Sequence, residues 1–373
     1  MLSVVLPSYN HGLLISRAMQ MLLAQERQPD EIIIVEDGSS DDSLDIVRNF
    51  IEQSSTVRFN LIVNKKNRGA IAALGQGLEA AQGQYIYFAA ADDWVLPGFF
   101  ADALKALQSD PQLGLFCGEA FLIEGSTAHP VGVRPAVRPV YRPKPIYPAR
   151  VRELLASSDN WILTGSALFR RAAVIAAGGF DTKLGSFSDG FLARKIALTN
   201  GFFFSPTLVS TWSIFPGSVS RQTVFNLDMA TEILEKVPAK LKSDAVFPRW
   251  YPQIFQNRWR FSTARLALAE TPPLISLVNA MASTTPLDRY VITAIGHLPF
   301  NQLIRFLVLV WLWFRLQPLS LLGFLRTSLA RRLERANEPI RQNALAVARL
   351  SIPSKTVKPK RKALNKQSTG RRS

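Results

Sequence analysis

The sequence predicts an α/β fold in which a mostly parallel sheet is flanked by helices, followed by a mainly helical C-terminal extension. Three observations predict it. Over the first 125 residues, short apolar runs alternate with segments of helical spacing. Polar residues follow the runs, where the loops of such a sheet would gather. From residue 222 to about 298 the pattern is mostly helical and broken by prolines.

Residues 3–7 read as a first strand, and residues 13–25 as a helix through Leu14, Ala18, Met21 and Leu22. The β-branched run 31–35 (EIIIV) has the length of a buried strand. Asp41 or Asp42 can cap the next helix, whose apolar face is Leu44, Val47 and Ile51. Residues 61–63 give a third strand, 70–82 a third helix and 85–89 a fourth strand. A β-α-β-α order argues for parallel strands covered by helices, with ligands at their carboxyl ends. Ser8-Tyr9-Asn10, Glu36-Asp37 and Asp92-Asp93 fall at such ends. Residues 130–150 hold six prolines, which excludes regular strand or helix interior and predicts an extended surface loop. Patterned sequence resumes over 151–220, and no internal repeat is present.

Composition narrows the function classes. At 47% hydrophobic and 19% charged, a chain of 373 residues can bury a full core. The single Cys117 excludes a disulfide framework, and three histidines make a multi-histidine metal site a poor reading. The first residues read as a strand rather than a signal peptide, so a cytosolic compartment is expected. The net charge of +16 is unevenly spread: residues 1–220 hold 19 Lys+Arg and 20 Asp+Glu, residues 221–373 hold 25 and 8. A near-neutral N-terminal unit is thus joined to a basic segment suited to anionic partners.

Acidic residues at three places can carry chemistry. Asp37 follows the second strand in Glu36-Asp37-Gly38-Ser39-Ser40-Asp41-Asp42, where a turn and helix cap would equally explain it. Asp92-Asp93 ends the buried run YIYFAAA; adjacent carboxylates there suit either an N-cap or a hard cation such as Mg²⁺ or Mn²⁺. Asp189, in Gly185-Ser186-Phe187-Ser188-Asp189-Gly190, would by itself be read as a cap.

Taken in order, SVVLPSYN, IIIVEDGSSDDS, NRGAIAALGQGLEAAQGQYIYFAAADDWVLPG and GGFDTKLGSFSDGFLARKIALTNG resemble the family 2 glycosyltransferases of GT-A fold, over roughly residues 1–220. The resemblance implies an inverting hexosyl transfer from a nucleotide-diphosphate sugar to an acceptor hydroxyl, with a divalent cation as cofactor. By position, it places Pro7, Ser8 and Tyr9 around the nucleotide base, Asp37 on the base or ribose, and Arg68-Gly69 at the donor. It makes Asp92 a donor-side and metal-binding residue, Asp93 the acid beside it, and Asp189 the catalytic base; Trp161, Thr164 and Gly165 fall on the acceptor side. A cation neutralises the leaving diphosphate, and a carboxylate near the acceptor hydroxyl takes its proton. Where many relatives have an Asp, an Arg-Asn pair and a His, this chain has Ala90, Leu74-Gly75 and Phe215, so fewer protein contacts to diphosphate and metal are expected.

The pattern G-x-G-x-x-A over residues 75–80 lies inside a helical run, not directly after a strand, and is discounted as a dinucleotide motif. Residues 299–325 are strongly apolar, but Arg305, Arg315 and Pro318 interrupt them. A helix lying in a membrane interface is therefore expected, with Trp311 and Trp313 at headgroup level; the alternative is a helix packed on the catalytic domain. Basic residues from Arg326 to Arg372 would face anionic lipid, and no specific nucleic-acid fold accompanies them.

The organisation expected is a catalytic domain at 1–220, a helical extension at 221–298, apolar and basic helices at 299–350, and a disordered basic tail at 351–373. The leading function is glycosyl transfer at the cytoplasmic membrane face onto a cell-envelope glycan or lipid-linked acceptor. A catalytically silent nucleotide-sugar or membrane-binding partner protein is the alternative. A sugar-phosphate nucleotidyltransferase is disfavoured, because Ser8-Tyr9-Asn10-His11-Gly12 stands where its phosphate loop would be.

Overall fold

A computed structural model describes residues 1–318 except 55, 126–128, 136, 216–217, 283–284 and 297–301, together with Leu329. The expected tail at 351–373 and the apolar residues 319–325 lie outside the described residues. The first seven elements are β1 (Leu2–Ser8), α1 (Gly12–Leu23), β2 (Glu31–Glu36), α2 (Ser43–Glu52), β3 (Arg58–Val63), α3 (Ala70–Ala80) and β4 (Tyr85–Phe88). β3 starts earlier than the apolar residues 61–63 suggest, because Arg58, Phe59 and Asn60 stay in parallel register with Glu31, Ile32 and Ile33. The next elements are α4 (Phe99–Ser109), β5 (Leu115–Glu124), β6 (His129–Arg134), β7 (Lys144–Ile146), α5 (Pro148–Ser157), β8 (Ala167–Arg170), α6 (Arg171–Ala176), α7 (Ser188–Asn200) and β9 (Phe202–Ile214).

Among the described residues, one nine-stranded sheet runs β3-β2-β1-β4-β8-β5-β9-β7, with β6 paired to β5. The β3-β2-β1-β4 half is parallel, as expected. The other half is mixed: β8 runs antiparallel to both β4 and β5, while β5 and β9 are parallel. The proline-rich segment departs from the expected loop, since it supplies both β6 and β7. Both are places where a missing N–H is tolerated. β7 carries Pro145 at the sheet edge, and Pro130 of β6 pairs beside a register shift in β5.

Strand alternation sends residues to two cores. Val5, Ile33, Val35, Ile86 and Phe88 enter one, while Leu2, Val4, Leu6, Ile32, Ile34, Tyr85 and Tyr87 enter the other. Gly77 is needed where α3 meets β1: a Cβ there would lie 2.2 Å from Val5 Cγ1. This explains a glycine in mid-helix without any nucleotide. Alanine would add helix propensity of about 1 kcal/mol but overpack the core by about 1–3 kcal/mol. At that separation the clash dominates, so Gly77→Ala should lower the denaturant midpoint; an unchanged or raised midpoint would show that α3 can shift.

The C-terminal helices are α8 (Val219–Phe225), α9 (Leu227–Ser243), α10 (Tyr251–Ala267), α11 (Ile275–Ala282), α12 (Pro286–Gly296) and α13 (Gln302–Leu316). They do not hang free of the sheet. Ile233, Val237, Leu241, Tyr251 and Phe255 pack in the same core as Val5 and Phe88, so α9 and α10 roof one sheet face. A separate cluster, including Leu234, Leu268, Met281, Ile292, Val308, Leu312 and Leu316, joins α9 through α13.

α13 is about 22 Å long at 1.5 Å per residue, short of the ~30 Å hydrocarbon core. No helix among the described residues is long and apolar enough to cross a membrane. Trp311 is turned back toward the protein, and Arg315 joins it on a shared acceptor. Both donate to Asp288 of α12, Trp311 Nε1 at 3.2 Å and Arg315 Nε at 2.7 Å.

Candidate active site

The parallel strand order reverses direction between β1 and β4, where ligands of such sheets bind at the carboxyl ends. The loop after β1 and the loop after β2 are laced together there. Asn10 has a left-handed φ of 55°, its N–H donates to Ser39 Oγ at 2.9 Å, and its Oδ1 accepts from the Ser40 N–H at 2.9 Å. Pro7 is half-buried, Ser8 is buried, and the Tyr9 ring is exposed. Ser8 Oγ and His11 Nδ1 are both buried with no hydrogen-bond partner, which marks this end of β1 as incompletely satisfied.

Asp37 is 2% exposed and organises the loop before α3. Its Oδ1 accepts from Asn64 Nδ2 at 2.7 Å, and its Oδ2 from the N–H groups of Arg68 and Gly69 at 2.9 and 2.8 Å. The predicted pair Asp37 and Arg68-Gly69 is therefore brought into direct contact. Neighbouring Gly38, at φ 75°, lies so close to the Lys66 backbone that a Cβ would meet it at 2.7 Å.

Asp92 and Asp93 follow β4 and are held by the end of β9. Ser213 N–H donates to Asp93 Oδ1 and Ser213 Oγ to the Asp92 carbonyl, both at 2.6 Å, while Trp94 N–H donates to Thr211 Oγ1 at 3.0 Å. Burial raises the Asp92 carboxyl above the usual range, with His11 and Arg17 pulling it back. Burial, then the charge of Asp92, holds Asp93 well above that range. Such a pair is uncomfortable without added positive charge. Arg17 supplies part of it, its guanidinium 3.9 Å over the Trp94 ring.

The two carboxylates differ in their surroundings. Asp93 is engaged by Ser213, whereas the Asp92 carboxylate accepts from its own backbone N–H. Oxygen ligands of this kind fit Mg²⁺ or Mn²⁺, with Asp92 the more open ligand. Groups of three or more His, Cys, Asp or Glu side chains able to hold a metal are absent among the described residues. The Phe215 ring lies against Gly125.

Asp189 opens α7 from the far half of the sheet, yet it reaches the same place. The bridge is a short 3₁₀ turn, Thr164–Ser166. The Thr164 side chain hydrogen-bonds Asp189. At the next residue, the Gly165 carbonyl accepts from Tyr87 Oη at 2.9 Å, and a Cβ on Gly165 would stand 3.8 Å from Asp93 Oδ2. Neighbouring Cα atoms, about 3.8 Å apart, thus link the two carboxylate groups. Burial raises the Asp189 carboxyl above the ordinary aspartate range, although the Gly190 N–H, Thr164 and Arg194 all favour its ionised form.

Trp161 corrects the expectation of an acceptor-facing ring. It is 1% exposed, stacks on Phe202 with ring centroids 5.3 Å apart, and donates from Nε1 to the Ser158 carbonyl at 2.7 Å. It offers packing in place of contact surface.

Residues the sequence reading passed over complete the site: His11, Arg17, Tyr87, Ser213 and Arg194. Only Arg194 left a readable signal, a guanidinium among the apolar residues Phe191, Leu192, Ile196 and Ala197 of α7. Its Nη1 donates to the Gly190 carbonyl and its Nη2 to the Asp159 carbonyl, each at 2.7 Å. The Asp159 carboxylate accepts from Tyr251 Oη at 2.9 Å and pairs with Arg258 at 3.1 Å. Arg258 also donates to the carbonyls of Leu155, Ala156 and Pro318. A buried polar chain therefore runs from the Asp189 turn into the C-terminal helices.

The family model described as Glycosyl transferase family 2 matches residues 3–175. The match takes in just under half of the chain, and over that segment the chain is similar to glycosyl transferase family 2. The chain also has solved structural neighbours of GT-A fold. One is a mannosyltransferase from Pyrobaculum calidifontis in complex with GDP-Man and Mn²⁺, with 18% identity, 83% of this chain and 84% of that chain covered, and a TM-score of 0.53. Another is Staphylococcus aureus TarS 1–349 in complex with UDP-GlcNAc, at 16% identity, 83% and 88% coverage, and a TM-score of 0.57. At such identities the likeness is one of fold. Among curated relatives, the uncharacterized glycosyltransferase YibD of Escherichia coli K12 is 37% identical over 110 residues, 29% of this chain and 31% of that protein. The poly-beta-1,6-N-acetyl-D-glucosamine synthase of Staphylococcus aureus is 26% identical over 226 residues, 60% of this chain and 53% of that one. The chain spans only about a third of the first curated relatives it matches.

Proposed function

We propose that this protein transfers one hexosyl unit, with inversion, from a nucleotide-diphosphate sugar to an acceptor hydroxyl of a cell-envelope or lipid-linked glycan. The observation that carries the reading is the meeting of two carboxylate groups from opposite halves of the sheet at Thr164-Gly165. Exposed Tyr9 offers a ring for the base, and the loop ordered by Asp37 flanks the ribose with Arg68 and Gly69. Unpartnered Ser8 Oγ and His11 Nδ1 offer polar contacts for the donor. Asp92, with Asp93 beside it, would hold a divalent cation, which when bound would neutralise charge on the departing diphosphate. Arg17 adds fixed positive charge near the same oxygens. Asp189 accepts the proton of the acceptor hydroxyl as the new bond forms on the opposite face of the sugar, so no covalent intermediate is required. A peripheral position on the cytoplasmic face of a membrane would bring a lipid-linked acceptor to Thr164 and Gly165.

Full-length protein with Mn²⁺ or Mg²⁺, titrated calorimetrically with a panel of nucleotide sugars, tests the reading. Binding of at least one donor and release of its nucleoside diphosphate are expected. Complete failure to bind any donor would sink the proposal. Loss of one charged ligand, worth about 1.5–3 kcal/mol, should weaken Mn²⁺-dependent donor binding about 10- to 100-fold in Asp92→Asn. An Asp92→Asn protein that binds donor and Mn²⁺ as tightly as wild type would remove Asp92 from the site.

A further inference from the structure

α13 has two apolar faces, and the protein covers only one. Val308, Leu312 and Leu316 are buried against the helices beneath. Leu303, Phe306, Leu307, Val310 and Phe314 are between 36% and 65% exposed. At about 100° per residue these five fall within roughly a 100° arc, opposite the buried three. The stripe is about 16 Å long, and α13 is fixed in rotation by Asp288 of α12, which is fully buried and holds Arg315 and Trp311. The outward direction of the two phenylalanines is thus built in.

We infer that this stripe is the face by which the protein lies on an anionic bilayer, with α13 parallel to the membrane plane. Charge argues for that occupant. Residues 319–373, which follow α13, contain 14 Lys+Arg and 2 Asp+Glu, so the apolar stripe is joined to a segment that negative headgroups attract. Apolar insertion beside a basic flank is the combination that holds interfacial helices, and neither part alone anchors firmly. The residues that contact lipid are consequently the phenylalanines and leucines of the stripe. Trp311, turned to Asp288, is not among them. This inference deepens the peripheral-membrane part of the proposed function and is independent of the transfer chemistry.

Co-sedimentation of the full chain with vesicles tests it, without donor or acceptor. Vesicles of phosphatidylcholine with about 30% phosphatidylglycerol should capture the wild-type protein, and pure phosphatidylcholine vesicles should capture far less. Phe306→Ser/Phe314→Ser should lower the partition coefficient at least about tenfold, with an unchanged thermal melt confirming its fold. About 0.5 M salt should weaken the wild type further toward the neutral-vesicle level. Wild type that binds neither vesicle overturns both the inference and the peripheral reading. A double variant that binds anionic vesicles as well as wild type overturns the inference alone, because the basic segment then suffices. A fall in solution mass from dimer to monomer in the variant would also overturn it, assigning the stripe to a second copy.

Discussion

Asp189→Asn is expected to lower kcat by about 10²- to 10⁴-fold while leaving nucleotide-sugar binding within a few-fold of wild type. Asparagine keeps the size and an acceptor oxygen for the Thr164 side chain, but it cannot take a proton at neutral pH. As the proposed base, the same residue should set the acid side of the pH profile. Asp189 must be ionised to act, and burial holds its carboxyl above the ordinary aspartate range. Activity should therefore fall as pH drops through a point higher than that of a solvent-exposed aspartate, and stay level above it until another group titrates. Arg194 works against burial by favouring the charged carboxylate, so Arg194→Met should move the acid limb upward. Initial rates at saturating donor across pH would check both effects. Turnover unaffected by Asp189→Asn would exclude it as the base. Wild type and Asp189→Asn that both bind donor and are equally inactive would instead identify a silent partner protein.

Arg258→Met is expected to destabilise the protein by about 3–5 kcal/mol, because it breaks a buried ion pair from one side. Burial by itself would raise the Asp159 carboxyl, yet Arg258 and Arg194, with the Tyr251 hydroxyl, hold it below the usual range. Without Arg258, the carbonyls of Leu155, Ala156 and Pro318 also lose their donor. The removed guanidinium bridges α5, α10 and the end of α13, so the loss should be felt in both cores that meet there. Equilibrium urea unfolding of wild type, Arg258→Met and Tyr251→Phe would measure it. Tyr251→Phe removes a single hydroxyl donor to the Asp159 carboxylate and should cost less, about 1.5–3 kcal/mol. A change below about 1 kcal/mol for Arg258→Met would show that water replaces the guanidinium in that chain.

Particular residues show how far local pattern reaches. The runs at 31–35 and 85–89 were legible as strands because apolar, β-branched and aromatic residues are dense there and turn residues bound them. Asp37, Asp92 and Asp189 could be singled out because each is a carboxylate placed just after an apolar element or before a helix. Trp161 illustrates the opposite case. A tryptophan near a predicted binding segment can face solvent or core, and only the parallel stack on Phe202 decides it. The strands β6 and β7 were hidden by prolines, which exclude central strands but not edges or bulges. Arg17 carries no signal in the sequence beyond its place within helix 13–25, because its position over Trp94 depends on how α1 packs against the loop after β4.

By itself the sequence determined the alternating elements, the polar ends of the parallel strands, the mid-helix glycine that excludes a dinucleotide turn, and the concentration of positive charge after residue 220. These follow from spacing along the chain, at two or three to four residues per repeat, which short segments record directly. Tertiary structure decided which carboxylate stands beside which hydroxyl, that α9 and α10 roof the sheet, and which face of α13 looks outward. Those depend on where β8 and β9 insert among the earlier strands. Thr164 and Asp189 are 25 residues apart and Gly165 and Asp93 are 72 apart. No periodicity spans such distances; packing of the intervening elements brings them together.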